Sequence, residues 1–228
     1  MSINYSFLAL YTYQVFVCVV GFVGLRRYKY LSFPLRVLEW YIICSIIVDG
    51  IIDVMIYKKI HTYVIAQSFA VIELLLFSSI FYLWRTSKRN GLLIWSGFFT
   101  YLLIWIIGKF TFEPITEWDN YSEPISQLIQ IGFGGWILLR IIKETNIVLK
   151  NDVRFWVLSG IVIYATATFF FFGFFTPMLM SNRKMLLAIW SFNDACIVMQ
   201  YIFFLRAFLC SSASAVMMSQ SQAISKEK

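Results

Sequence analysis

Four carboxylates, Asp49, Asp53, Glu73 and Asp194, stand inside stretches of chain that are otherwise long apolar runs. A carboxylate at mid-bilayer depth costs roughly 2.5–3.5 kcal/mol on insertion scales, so a chain that keeps one uses it or pairs it. No lysine or arginine lies deep enough in the same runs to pair with Asp49 or Glu73. Each is therefore either a neutral acid that donates hydrogen bonds or an ionised group awaiting a cationic ligand, a metal ion or a proton. Two such groups with different proton affinities can also serve as general acid and general base on water. The competing structural role is a hydrogen bond between helices that only holds a bundle together.

The surrounding residues sharpen this pattern. Ser45, Asp49 and Asp53 are four residues apart and form one stripe on one helix face. Asp53 is near the end of its segment, where it reaches water. Glu39 lies near the other end, three residues from Arg36, and is expected to form a surface ion pair. Asn193 with Asp194, Gln127 with Gln130 and Gly134, Gln14, Gln200 and Tyr164 add polar groups from four other segments. If these faces converge, Asp49, Glu73, Asn193, Asp194, Gln127, Gln130 and Tyr164 line one polar pocket that opens outward and ends near mid-bilayer.

The elements that must position them are transmembrane helices. The chain has 228 residues, is 60% hydrophobic and only 14% charged, against about 25% charged in a soluble domain. About 20 apolar residues cross a hydrocarbon core as a helix. Seven segments reach that length, at about 5–25, 35–56, 62–84, 92–110, 125–142, 155–175 and 186–209. The expected class is an all-α polytopic membrane protein, a seven-helix bundle over 1–209 with a flexible cytoplasmic tail at 210–228.

Charge orients the bundle. With the N-terminus outside, Lys58, Lys59, Lys109, Arg183 and Lys184 are the outer bases, and the remaining fourteen of the nineteen lie inside. The positive-inside rule therefore predicts the N-terminus out and the C-terminus in. The first segment is followed, not preceded, by Arg26, Arg27 and Lys29, which predicts a retained helix and not a cleaved signal. The net charge of +7 is spread in short clusters between apolar runs. It points to membrane orientation and anionic headgroups, not to nucleic acid.

The longest outer stretch, Thr111–Pro124, carries Glu113, Glu117, Asp119 and Glu123 and no base. It reads as a solvated loop, with a cation-attracting lid as the sharper alternative. Cys18, Cys44, Cys196 and Cys210 have neither zinc nor disulfide spacing and read as small packing residues. His61, the one histidine, sits beside Lys58 and Lys59 as an interfacial residue. No metal site, cofactor, glycine-rich phosphate loop or nucleophile elbow is expected.

Trp156, Gly160 and Tyr164 recur at spacings of four, which predicts close helix packing around Gly160. The stretch Phe155-Trp156-x3-Gly160-x3-Tyr164 resembles a motif of small uncharacterised bacterial seven-helix integral membrane proteins. His61-x-Tyr63 followed by Glu73, and Asn193 in the last helix, resemble the same group. Val157 and Leu158 depart from its usual Trp-Ile pattern. The resemblance implies a seven-helix bundle, sometimes sensory, and no particular activity.

The function expected is a sensor or binding module of a bacterial inner membrane. It takes a small-molecule or lipid ligand from the outer side and signals to a partner through its basic inner loops. Two alternatives stay open: an intramembrane lipid hydrolase with Asp49 and Glu73 as its catalytic pair, and a proton-coupled carrier with Glu73 as the proton site.

Overall fold

The computed structural model describes residues 3–85, 87–111, 113–115, 121–143, 148–179 and 191–210, with side chains from 13 in the first helix and to 172 in the sixth. The helices are α1 (Ile3–Arg27), α2 (Phe33–Tyr57), α3 (Tyr63–Leu83), α4 (Lys88–Thr111), α5 (Ser122–Lys143), α6 (Val153–Leu179) and α7 (Ser191–Cys210). There is no strand among the described residues. Six helices, α2 to α7, are long and apolar enough to cross a membrane. The protein is an all-helical, multi-pass membrane protein, as its composition requires.

Local chemistry sets the helix ends. Ser32 is extended and Pro34 falls in the first turn of α2, where its missing N–H costs nothing. At the other end Lys59 is left-handed, with φ of 56°. Ile60 N donates to Met55 O at 2.9 Å and Lys59 N to Ile56 O at 3.0 Å. These are the two bonds of a Schellman stop, here built on a lysine where glycine is usual. Asp152 Oδ1 accepts from the Arg154 backbone N–H at 2.8 Å and its carboxylate pairs with the Arg154 guanidinium, which fixes the start of α6.

Helix α3 touches α2, α4 and α5, α5 packs along α6, and α1 lies on α2. The interior divides along its length. Toward the end that carries the α3–α4 and α5–α6 connections, Leu35, Leu38, Ile42, Phe77, Phe81, Phe204 and Phe208 make a dry apolar core. The half toward the α2–α3 connection buries Ser45, Gln67, Glu73, Glu123, Gln127 and Gln130.

Gly160 brings α6 against α7. A Cβ there would meet Phe203 Cβ and Phe204 Cε1 at 3.1 Å and the Gln200 backbone oxygen at 3.2 Å. The Trp156 ring lies 5.5 Å from Phe203 and its Nε1 donates to Lys150 O at 2.9 Å. The first two thirds of the Trp156/Gly160/Tyr164 face is thus a packing face. Gly160→Leu is expected to destabilise by about 2 kcal/mol through overpacking. Gly50→Ala, where a Cβ meets nothing within 4 Å, should gain up to about 1 kcal/mol in helix propensity. Unfolding midpoints in detergent check both.

Glu39 corrects an expectation. It is 0% exposed, and neither carboxylate oxygen has a hydrogen-bond partner among the described residues. Arg36 does not pair with it, since its guanidinium donates to Leu31 O at 3.0 Å and Lys29 O at 3.5 Å. The carboxylate instead faces Gly24 of α1, beside the Phe208 ring. Spacing along one helix suggested a pair, but neighbouring backbone carbonyls took the donors.

The acidic loop also differs from expectation. Glu113 is buried and accepts from the Tyr121 backbone N–H at 2.7 Å and from Ser122 N–H and hydroxyl. It also pairs with Lys109 at 3.3 Å. This carboxylate is a cap at the positive end of α5, not a solvated loop charge. Glu117 and Asp119, like the tail after Cys210, lie outside the described residues.

Candidate functional site

The polar half is built one helix turn at a time. The stripe on α2 runs Tyr41, Ser45, Asp49, Asp53, and its members bond three other helices, α3, α7 and α1. Ser45 Oγ accepts from the Tyr201 hydroxyl of α7 at 3.0 Å. Asp49 Oδ2 accepts from the Tyr13 hydroxyl of α1 at 2.7 Å, and Asp53 Oδ2 from Gln14 Nε2 at 2.6 Å. Tyr41 gives its own hydroxyl to Glu73 Oε2 of α3 at 3.4 Å.

Glu73 is the centre of this network. It is 4% exposed, and its second oxygen, Oε1, accepts from Gln130 Nε2 of α5 at 3.0 Å. Gln130 is one turn beyond Ser126, and Gln127 Nε2 donates to Glu123 Oε1 at 2.5 Å on the same helix. So α5 carries two glutamines that hold two carboxylates.

A cavity of about 180 Å³ opens among α2, α3, α5 and α6. Asp49, Glu73 and Glu123 line it, with Gln67 and Tyr164 between them. Tyr63, Phe69 and Phe172 supply aromatic walls, and the exposed Ala66 marks its rim. Among the described residues no lysine, arginine or histidine is in the lining. A second cavity of about 200 Å³ lies on the α1–α2 side, lined by Gln14, Cys18, Asp49 and Asp53. Asp49 borders both, so one carboxylate separates a central space from a peripheral one.

The sites expected from sequence are therefore partly joined. Asp49, Glu73 and Tyr164 share the central cavity. Gln130 and Gln127 stand behind it and hold the carboxylates that line it. Asn193 and Asp194 are not among the lining residues: Asn193 Oδ1 accepts from the Thr168 hydroxyl of α6 at 3.4 Å, and Asp194 is half-buried. Asp53 is exposed, as its position near the helix end implied. Tyr13, Tyr41, Tyr201 and Gln67 are additions that sequence reasoning did not single out, and Glu123, expected in a solvated loop or lid, is buried in the first turn of α5. Two signals were present. Tyr41 continues the four-residue stripe of Ser45 and Asp49, and Tyr63, Gln67, Ala70 and Glu73 follow helical spacing on one face.

The chemistry this permits is recognition of positive charge. Three carboxylates with no basic side chain among the described lining residues favour a positive charge, and aromatic faces attract cations from the other side. Among the described residues no group of three or more His, Cys, Asp or Glu is placed to hold a metal ion. No protein-family model, curated protein or solved structure matches this chain.

Proposed function

We propose that the chain is a seven-span binding module or sensor of a bacterial inner membrane, related to the small seven-helix proteins its Phe155-Trp156 motif resembles. In this reading α1 completes the seven spans, the N-terminus is outside and the C-terminus inside. A small ligand with a cationic head enters from the α2–α3 end, and a partner reads the change in helix packing through the basic loops.

One observation carries the reading: Asp49, Glu73 and Glu123 line one cavity, with no basic side chain among its described lining residues. Its volume is comparable to the engineered cavity of about 150 Å³ that holds benzene, so it suits a compact head and not a whole lipid. Both oxygens of Glu73 already accept hydrogen bonds from Tyr41 and Gln130. Each oxygen keeps a second lone pair, so Glu73 is held at the cavity wall and still accepts from a ligand N–H.

The test uses purified protein with benzylammonium and its neutral isostere benzyl alcohol. The cation is expected to raise the unfolding temperature and the alcohol to leave it unchanged. Asp49→Asn and Glu73→Gln should each weaken the cation about tenfold or more, because a hydrogen bond to a charged group is worth about 1.5–3 kcal/mol. Equal effects of the two probes would sink the reading. Uptake of the cation into proteoliposomes would turn it toward a carrier.

A further inference from the structure

A second feature lies on the lipid-facing side, away from the carboxylates. Between α4 and α5 a groove of about 600 Å³ is lined by Leu93, Ser96, Thr100, Ile129, Phe133 and Trp136, with Gly97 and Gly132 in its floor. Its lining is mostly apolar, and Ser96, Thr100, Gly132 and Trp136 are exposed. Gly97 seats the Phe133 ring against α4, and Gly132 leaves open space. A Cβ on Gly97 would meet the Phe133 ring at 2.7 Å, and a Cβ on Gly132 would meet nothing within 4 Å.

At the end toward the α3–α4 connection, the groove meets a narrow notch of about 10 Å³, so a headgroup would lie over its mouth and not inside it. Trp136 borders both, and Arg85, Arg140 and Asn90 line the notch. Arg85 is held in place, with its guanidinium 3.6 Å from the Tyr82 ring centroid and Nη1 donating to Tyr82 O at 2.8 Å. That leaves its other N–H donors for a further acceptor. A guanidinium has five N–H donors, so Arg140 also serves a phosphate alongside any neighbour it already touches. The exposed bases Lys88 and Arg89 stand at the same end. An apolar groove in the span that ends on the held Arg85 and the exposed Arg140 is complementary to one molecule with both parts.

We propose that the α4–α5 groove is a binding site for an anionic phospholipid, with an acyl chain along Gly97 and Gly132 and the phosphate on Arg85 and Arg140. Basic pockets between transmembrane helices hold anionic headgroups by the same chemistry. This site is independent of the central cavity and does not need the cation-binding reading to hold.

The experiment equilibrates purified full-length protein with mixed micelles of equal phosphatidylglycerol and phosphatidylcholine. The lipid that survives detergent washing is then counted by mass spectrometry. Wild type should retain phosphatidylglycerol in preference, with each arginine contributing about fivefold. Arg85→Gln with Arg140→Gln should bring the ratio to about one, while Arg26→Gln, an exposed base on α1, leaves it unchanged. Gly132→Leu should reduce the total lipid retained, because its side chain fills the groove without meeting protein atoms at its Cβ. Equal retention of the two lipids by wild type, or an unchanged ratio in the double variant, would overturn the proposal. So would loss of the preference on adding millimolar inorganic phosphate, which would make the notch a free-phosphate site.

Discussion

Glu73→Leu is expected to destabilise the protein by about 3 kcal/mol, the largest loss of any single polar substitution in the bundle. The substitution removes one acceptor group and strands two donors, the Tyr41 hydroxyl and Gln130 Nε2. A buried donor left unpaired costs about 1–3 kcal/mol. Hydrogen bonds between membrane helices are worth less on average, about 0.6 kcal/mol and up to about 1.7. The stranded donors therefore outweigh the lost bonds. Glu73→Gln keeps one acceptor oxygen and should cost about 1 kcal/mol. The decisive comparison is the triple variant Tyr41→Phe, Glu73→Leu, Gln130→Leu, which leaves no donor unpaired. It should recover most of the loss, because replacing all partners by apolar groups is close to neutral. Unfolding of the purified protein by dodecyl sulfate in mixed micelles measures all three. A triple variant no more stable than Glu73→Leu would mean that these three side chains do not form one network.

The same network marks how far the sequence could be read. Helical segments follow from long apolar runs, because a backbone in hydrocarbon must satisfy its own hydrogen bonds. The stripe Ser45, Asp49, Asp53 follows from helix periodicity alone. What periodicity leaves open is the rotation of one helix against another, and every partner of that stripe depends on it. Tyr13, Gln14 and Tyr201 come from α1 and α7, far away in sequence. Nothing local distinguishes these two tyrosines from the other eleven of the thirteen, since tyrosine is also common at membrane interfaces. Asn193, in the outer half of its segment, was expected in the same pocket as Glu73, yet it bonds Thr168. Glu113 was hidden for a different reason. Composition marks a run of acids as solvated, and only the fold reveals that one of them caps α5.

Glu39→Met is expected to stabilise the protein, by about 2 kcal/mol. The carboxylate sits about two turns into α2, in the apolar half, with no hydrogen bond to either oxygen among the described residues. Taking such a group out of water carries a penalty of several kcal/mol that no partner here offsets. Replacing buried ionic groups by apolar residues of similar size is often neutral or stabilising by 1–4 kcal/mol, and methionine adapts its shape to the space. Arg27 is the nearest alternative partner to consider, since its Nη1 donates to the Phe208 carbonyl at 3.4 Å, close to where Phe208 and Glu39 both meet Gly24. A double-mutant cycle with Arg27→Gln separates the cases. Stabilisation by Glu39→Met of equal size in both backgrounds supports an unpaired carboxylate. Destabilisation that vanishes in the Arg27→Gln background would mean that the two side chains pair, and would sink the prediction. Glu39 lies in the half opposite the cavity of Asp49 and Glu73, so Glu39→Met should bind benzylammonium as wild type does. A carboxylate that lowers stability where α1, α2 and α7 meet, without touching the cavity, is positioned to act on the packing of those helices.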